Sequence, residues 1–88
     1  MPHPNGIVIH PEAIIGPNCL IFQQVTVGAD YDGTPVIGGH VDLGAGAKVL
    51  GPVRVHDHAA IGANAVVIKD VPRAATAVGV PARIILPR

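Results

Sequence analysis

With 88 residues and a mass of 9.0 kDa the chain has room for one small domain, here 1-88, and not for two. Six basic side chains balance six acidic ones at a pI near 7.0, which leaves no electrostatic footprint for nucleic acid or an anionic membrane. Hydrophobic residues make up 49% but aromatic ones only 2%, Phe22 and Tyr31, so a core must be assembled from small aliphatic side chains, and the 11 Gly and 9 Pro keep every apolar run far below the roughly 20 residues of a membrane span. A single cysteine, Cys19, allows no disulfide within the chain, and Met1-Pro2-His3 lacks the charged and apolar regions of a secretory signal, so a reducing cytoplasm is expected.

Taken in chain order, an aliphatic residue recurs at every sixth position: Ile9, Ile15, Ile21, Val27, then after a four-residue slip Ile37, Leu43, Val49, Val55, Ile61 and Val67. Four residues after each of these stands a small or β-branched residue: Ala13, Cys19, Val25, Pro35 in the slipped unit, Val41, Ala47, Val53, Ala59, Ala65 and Val71. Glycine favours the place directly after the start, at Gly16, Gly28, Gly38, Gly44 and Gly62, where it would permit turn geometry that other residues avoid. A helix needs apolar spacing near 3.6 and would not accept this Gly and Pro load. Period six therefore predicts short strands joined by tight turns. Three units close a triangular coil of 18 residues, giving an all-β parallel β-helix of about three and a half coils over 3-72, a loop at 29-34 and a C-terminal extension over 73-88. So few coils enclose little core and leave two open ends, so association of subunits is expected.

The repeat resembles that of the hexapeptide-repeat acyltransferases, over nearly the whole chain. Within that superfamily it is most similar to the catalytic domain of serine O-acetyltransferase, through Gln24-Val25-Thr26-Val27-Gly28, the block Gly44-Ala45-Gly46-Ala47-Lys48-Val49-Leu50-Gly51, and the tail Thr76-Ala77-Val78-Gly79-Val80-Pro81-Ala82-Arg83. The resemblance implies a left-handed coil, a homotrimer with active sites between subunits, and acetyl-CoA as acetyl donor. Pro2-His3-Pro4-Asn5-Gly6-Ile7-Val8-Ile9 lies in register with the segment that carries the family's catalytic base, which assigns that role to His3. An imidazole suits it, because it titrates near neutrality and can accept a hydroxyl proton and return it to a leaving thiolate.

Two positions depart from the family pattern. Pro2 stands where the family has Asp, and Thr34, before Pro35-Val36-Ile37, stands where it has a second active-site histidine, so the acceptor side has changed. With no coil ahead of His3 in this sequence to carry the family's histidine-orienting carboxylate, the expectation is that either Asp30 or Asp32 of a neighbouring subunit orients the base or activity is low. The family's helical amino-terminal domain and its isoleucine-ending tail are not among these 88 residues, which close on Pro87-Arg88.

Stacking by coil places Asn5, Gln23, Ala45 and Ala63 in one column, polar at one end and tiny at the other. That layout suits an acceptor near Asn5 and Gln23 and a pantetheine arm over Ala45 and Ala63. The resemblance implies the same course for the arm, past Gly28, Ala29, Ala45 and Ala63. Lys69 and Arg83 lie toward the end where the nucleotide phosphates are expected, and a guanidinium fits phosphate well. Tyr31, on the loop, either covers bound substrate or packs on a neighbouring subunit.

Three further features are expected to carry no site. His40 and His58 are 18 apart and stack at an outward position with His56 nearby; a relative with this fold, the gamma-class carbonic anhydrase, holds zinc between subunits, but its signature residues are not recognisable here and no metal is expected. His10 reads as a surface turn residue, and Cys19 as a member of the inward small column. The reading is therefore an acetyl-CoA-dependent O-acetyltransferase acting on L-serine, by direct attack, with no nucleic acid or membrane partner. The alternatives are transfer to a sugar hydroxyl of an exopolysaccharide, a non-catalytic trimeric scaffold, or a truncated catalytic domain.

Overall fold

A computed structural model describes residues 6–86, which form short strands and turns and no helix. Twelve strands of two or three residues build three sheets. The first holds β1 (Val8–Ile9), β4 (Thr26–Gly28), β7 (Lys48–Leu50) and β10 (Val66–Val67); the second β2 (Ile14–Ile15), β5 (Val36–Ile37) and β8 (Arg54–Val55). The third holds β3 (Leu20–Ile21), β6 (Asp42–Leu43), β9 (Ala60–Ile61), β11 (Thr76–Val78) and β12 (Arg83–Ile85). From β1 to β11, strands consecutive in sequence lie on different faces and each pairs in parallel with the strand one coil away, which is a three-sided solenoid.

Every one of the ten aliphatic starts is a strand residue, and its side chain points inward: Val27, Leu43 and Val49 are fully buried, and the small column supplies Val25, Val41, Ala47 and Ala65 at 0% exposure. Residues of one column meet across the coils, as Ile9, Val27, Val49 and Val67 do in the first sheet. A six-residue unit thus contributes one large and one small side chain to the interior, and the axis is filled without an aromatic ring.

The glycines that follow the starts have a different reason from the expected one. Their backbone is ordinary. A side-chain carbon at Gly16 would lie 2.6 Å from the Gly38 carbonyl carbon, and one at Gly44 2.7 Å from the Ala63 nitrogen, so what these positions require is close approach of stacked turns. Most of the positive-φ residues sit elsewhere, in two corner columns, Gly6, Gln24, Gly46 and Asn64 before the first sheet and Asn18, His40, His58 and Ala74 before the third; Gly33, Gly51 and Gly79 stand outside them.

The solenoid has about four turns. Its last coil is shortened: Val71 stands against Val55 and Ala77 against Ile61, 16 residues apart instead of 18. Val71, placed by the count in the small column, therefore occupies the start column of the second sheet. The shortening removes a carbonyl, and Asp70 replaces it: where Val36 N–H donates to the Val53 carbonyl at 2.9 Å, Arg54 N–H donates to Asp70 Oδ1 at 2.9 Å. Beyond β11 the chain turns back. β12 runs antiparallel along β11, while Val66 N–H donates to the Gly79 carbonyl at 3.0 Å and Ala82 N–H to the Val66 carbonyl at 2.9 Å, so one hairpin covers the edges of two sheets.

The four-residue slip is the loop at 29–34. Asp30 Oδ1 accepts from the Asp32 N–H at 2.7 Å and the Gly33 N–H at 3.2 Å, and Asp30 N–H donates to the Gly33 carbonyl at 3.1 Å, which closes the excursion on itself. Tyr31 projects from its tip, fully exposed.

Candidate active site

Two of the predicted site residues, His3 and Asn5, lie outside the described residues. The rest fall into groups. Gln23, Ala45 and Ala63 do form a column, on the corner between the third and first sheets: Gly46 N–H donates to the Gln23 carbonyl at 3.0 Å and Asn64 N–H to the Ala45 carbonyl at 2.9 Å. Gln23 and Ala63 are exposed and Ala45 is half-buried. The column narrows to bare backbone at Gly46, whose φ is +75° and whose added side-chain carbon would collide with Asn64 Oδ1.

Gly28 and Ala29 lie on the same sheet but at its other edge. Gly28 ends β4, opposite Leu50 of β7, and Gly51 N–H donates to its carbonyl at 3.1 Å; Ala29 begins the loop. At roughly 3.3 Å per extended residue, Gln23 and Ala29 stand on the order of 15 Å apart, too far for one small substrate to touch both within a protomer. Thr34, half-buried, and the exposed Tyr31 belong to the loop at that second edge. Lys69 follows β10 at the same corner and is exposed; Arg83, exposed on β12, belongs to the third sheet. The described candidates other than Arg83 thus flank the first sheet on two sides.

Asp30 and Asp32, both candidates to orient the base, differ in commitment. Asp30 holds its own loop together, with Oδ2 pressed against the left-handed Gly51. Asp32 is exposed and contributes only its backbone to the turn.

One cation escaped the reading of single positions. Lys48 points outward from β7 and its Nζ donates to the Gly46 carbonyl at 3.2 Å, which brings a positive charge beside the Ala45 column. Its signal was available, since strand alternation turns Lys48 outward next to the inward Val49, two residues beyond Gly46.

Cys19 is half-buried and packs against the core, with Sγ 3.2 Å from the Gly38 carbonyl oxygen. His10 is half-buried rather than a plain surface residue, because its Nδ1 accepts the Glu12 N–H at 3.1 Å. His40 and His58 stack as their spacing implies, ring centroids 5.0 Å apart and planes 5° from parallel. Among the described residues no three His, Cys, Asp or Glu side chains converge as a metal-binding group, and no helix is long and apolar enough to cross a membrane.

No protein-family model matches the chain. Against individual proteins it is 44% identical to a serine acetyltransferase of Synechococcus elongatus over 87 residues, covering 94% of this chain and 36% of that one. Among solved structures, a serine acetyltransferase in complex with CoA superposes with a TM-score of 0.87 at 48% identity, covering 91% of this chain and 34% of the other. The Neisseria gonorrhoeae serine acetyltransferase in complex with serine superposes at 0.88 with 43% identity, covering 92% and 34%. The chain spans about a third of the length of the relatives it matches. Superposition at this level requires the same hand of coil, because a mirror-image winding would not overlay. With identity above 40% across nine-tenths of the chain and that overlay, the chain is similar along almost its whole length to the left-handed hexapeptide-repeat β-helix of the serine acetyltransferases.

Proposed function

We propose that the chain transfers acetyl from acetyl-CoA to the hydroxyl of L-serine, as the catalytic β-helix of a serine O-acetyltransferase. The observation that carries this is its likeness, along almost its whole length, to serine acetyltransferase structures holding CoA and serine. His3 acts as the general base. As it takes the hydroxyl proton, the serine oxygen adds to the thioester carbonyl; the new C–O bond forms, the C–S bond breaks, and the proton passes to the departing CoA thiolate. No covalent enzyme intermediate is required.

The working unit is a homotrimer. Most of the described candidates lie on two edges of the first sheet, and a second prism packed alongside can bring the Gly28, Ala29 and loop edge of one subunit against the Gln23, Ala45 and Ala63 edge of the next. The pantetheine arm then runs in the seam, over small side chains that leave backbone groups within reach, with Lys48, Lys69 and Arg83 available to the phosphates. Asp32 of the neighbouring subunit orients His3, since Asp30 is engaged in its own turn. Thr34 and Tyr31 border the acceptor. Such an enzyme works in the cytoplasm, where acetyl-CoA is at hand and a lone thiol such as Cys19 stays reduced.

The test is release of free CoA thiol from acetyl-CoA, with L-serine, with a panel of sugars and with no acceptor. Serine-dependent release is expected. Release with a sugar alone would replace serine as acceptor, and silence from a folded trimer would leave a scaffold or an incomplete catalytic domain.

A further inference from the structure

The corner between the second and third sheets lies away from both edges of the candidate active site, and it carries the His40–His58 stack. Both residues are in the left-handed conformation, with φ of 58° and 63°, so their Cα–Cβ bonds leave the corner in the same direction. Their backbones are tied to the coils on either side: His40 N–H donates to the Pro17 carbonyl at 2.9 Å and His58 N–H to the Gly39 carbonyl at 3.1 Å. Asp57 Oδ1 accepts the Gly39 N–H at 2.9 Å and clamps the two turns together. The rings lie 5.0 Å apart and nearly parallel, and both residues are exposed.

We propose that His40 and His58 form a bidentate surface site for a divalent transition-metal ion of the imidazole-seeking kind, zinc, nickel or copper. Imidazole is the usual protein ligand for these ions. Coordination at about 2.0–2.1 Å from the metal places the two nitrogens roughly 3 Å apart. Because each imidazole lone pair lies in its ring plane, the nearly parallel rings must unstack and turn toward a common point, which two exposed side chains can do by rotation about χ1 and the broad χ2 well of histidine. The backbone need not move, because the corner already holds the two residues one coil spacing apart. Solvent supplies the remaining ligands. A site of this kind exists only in the folded solenoid, since 18 residues of chain separate the two imidazoles, so the metal stabilises the coil by mass action.

The experiment is thermal unfolding and calorimetric titration of the full chain with zinc chloride or nickel chloride near pH 7.5, on the wild type and on His40→Asn, His58→Asn and, as control, His10→Asn. Asparagine keeps the corner intact, since Asn18 occupies the same column at φ 61°. The expected result is one ion per chain and a raised Tm, with either His40→Asn or His58→Asn weakening binding about tenfold or more, because each removes the chelate rather than half the sites. His10→Asn should leave binding unchanged. Failure of the wild type to bind, or retention of its affinity in both single variants, would overturn the site. Binding is read without any acyl transfer, so the outcome is independent of the proposed activity.

Discussion

At the level of single residues, the proposed chemistry assigns the base role to His3, and its replacement gives the most direct test. General-base catalysis contributes about 10²- to 10⁴-fold, so His3→Ala is expected to lower kcat by 10² or more, with a smaller change in the KM for acetyl-CoA. Unchanged turnover would take the base role from His3. A second residue sets the floor of the candidate groove. Gly46 combines a φ of +75° with direct apposition to Asn64 Oδ1, so Gly46→Ala incurs both backbone strain and a steric clash. The strain alone costs about 1–3 kcal/mol, and a lowered Tm in a melt of the variant checks it, whereas Gly62→Ala, free of the positive φ, should cost less.

At the level of elements, each strand is too short to be stable alone. Two or three residues gain their order from the coils above and below. The sixfold pattern made these elements legible, because one inward large and one inward small residue per unit is a signature that survives without any long strand. The C-terminal end was less legible, since its last unit drops two residues and the start column passes from Val67 to Val71 and Ala77. Nothing in the spacing alone signals that Asp70 will stand in for a carbonyl. The hairpin of β11 and β12 has a mechanical role that can be tested: it covers sheet edges that would otherwise present unpaired backbone groups. Removing residues 79–88 should lower the Tm by several degrees and promote association beyond the native state, read by a melt and by light scattering. A truncated chain with the wild-type Tm and size would show that the hairpin does not protect the end.

At the level of the whole molecule, the surface asks for partners. In the first coil the outward residue of all three sheets is aliphatic, Val8, Ile14 and Leu20, each more than half exposed, with Phe22 beside them. An exposed apolar collar of this kind is a feature of association surfaces. Sedimentation or light scattering is expected to give three times 9.0 kDa, about 27 kDa. A stable monomer would remove the seam in which the proposed active site lies. A mixture of wild-type chains with His3→Ala chains gives a further check, since activity should follow the number of seams that retain a His3.

The amino-acid order by itself determined the class of fold, the number of faces, the inward columns and the place of the loop, because these follow from which side chains repeat at a fixed interval and can share one interior. It also determined that Gln23, Ala45 and Ala63 stack, since column membership is a matter of counting. Only the tertiary structure decided that the glycines after each start are needed for close approach rather than for unusual backbone angles, that the fourth coil closes, and that Asp30 is occupied by its own turn. It also decided that the described candidates other than Arg83 stand on two edges of one sheet. The reason is the same in each case: spacing along the chain fixes which face a residue occupies, whereas contact depends on distances between coils and on turns that only the assembled solenoid sets.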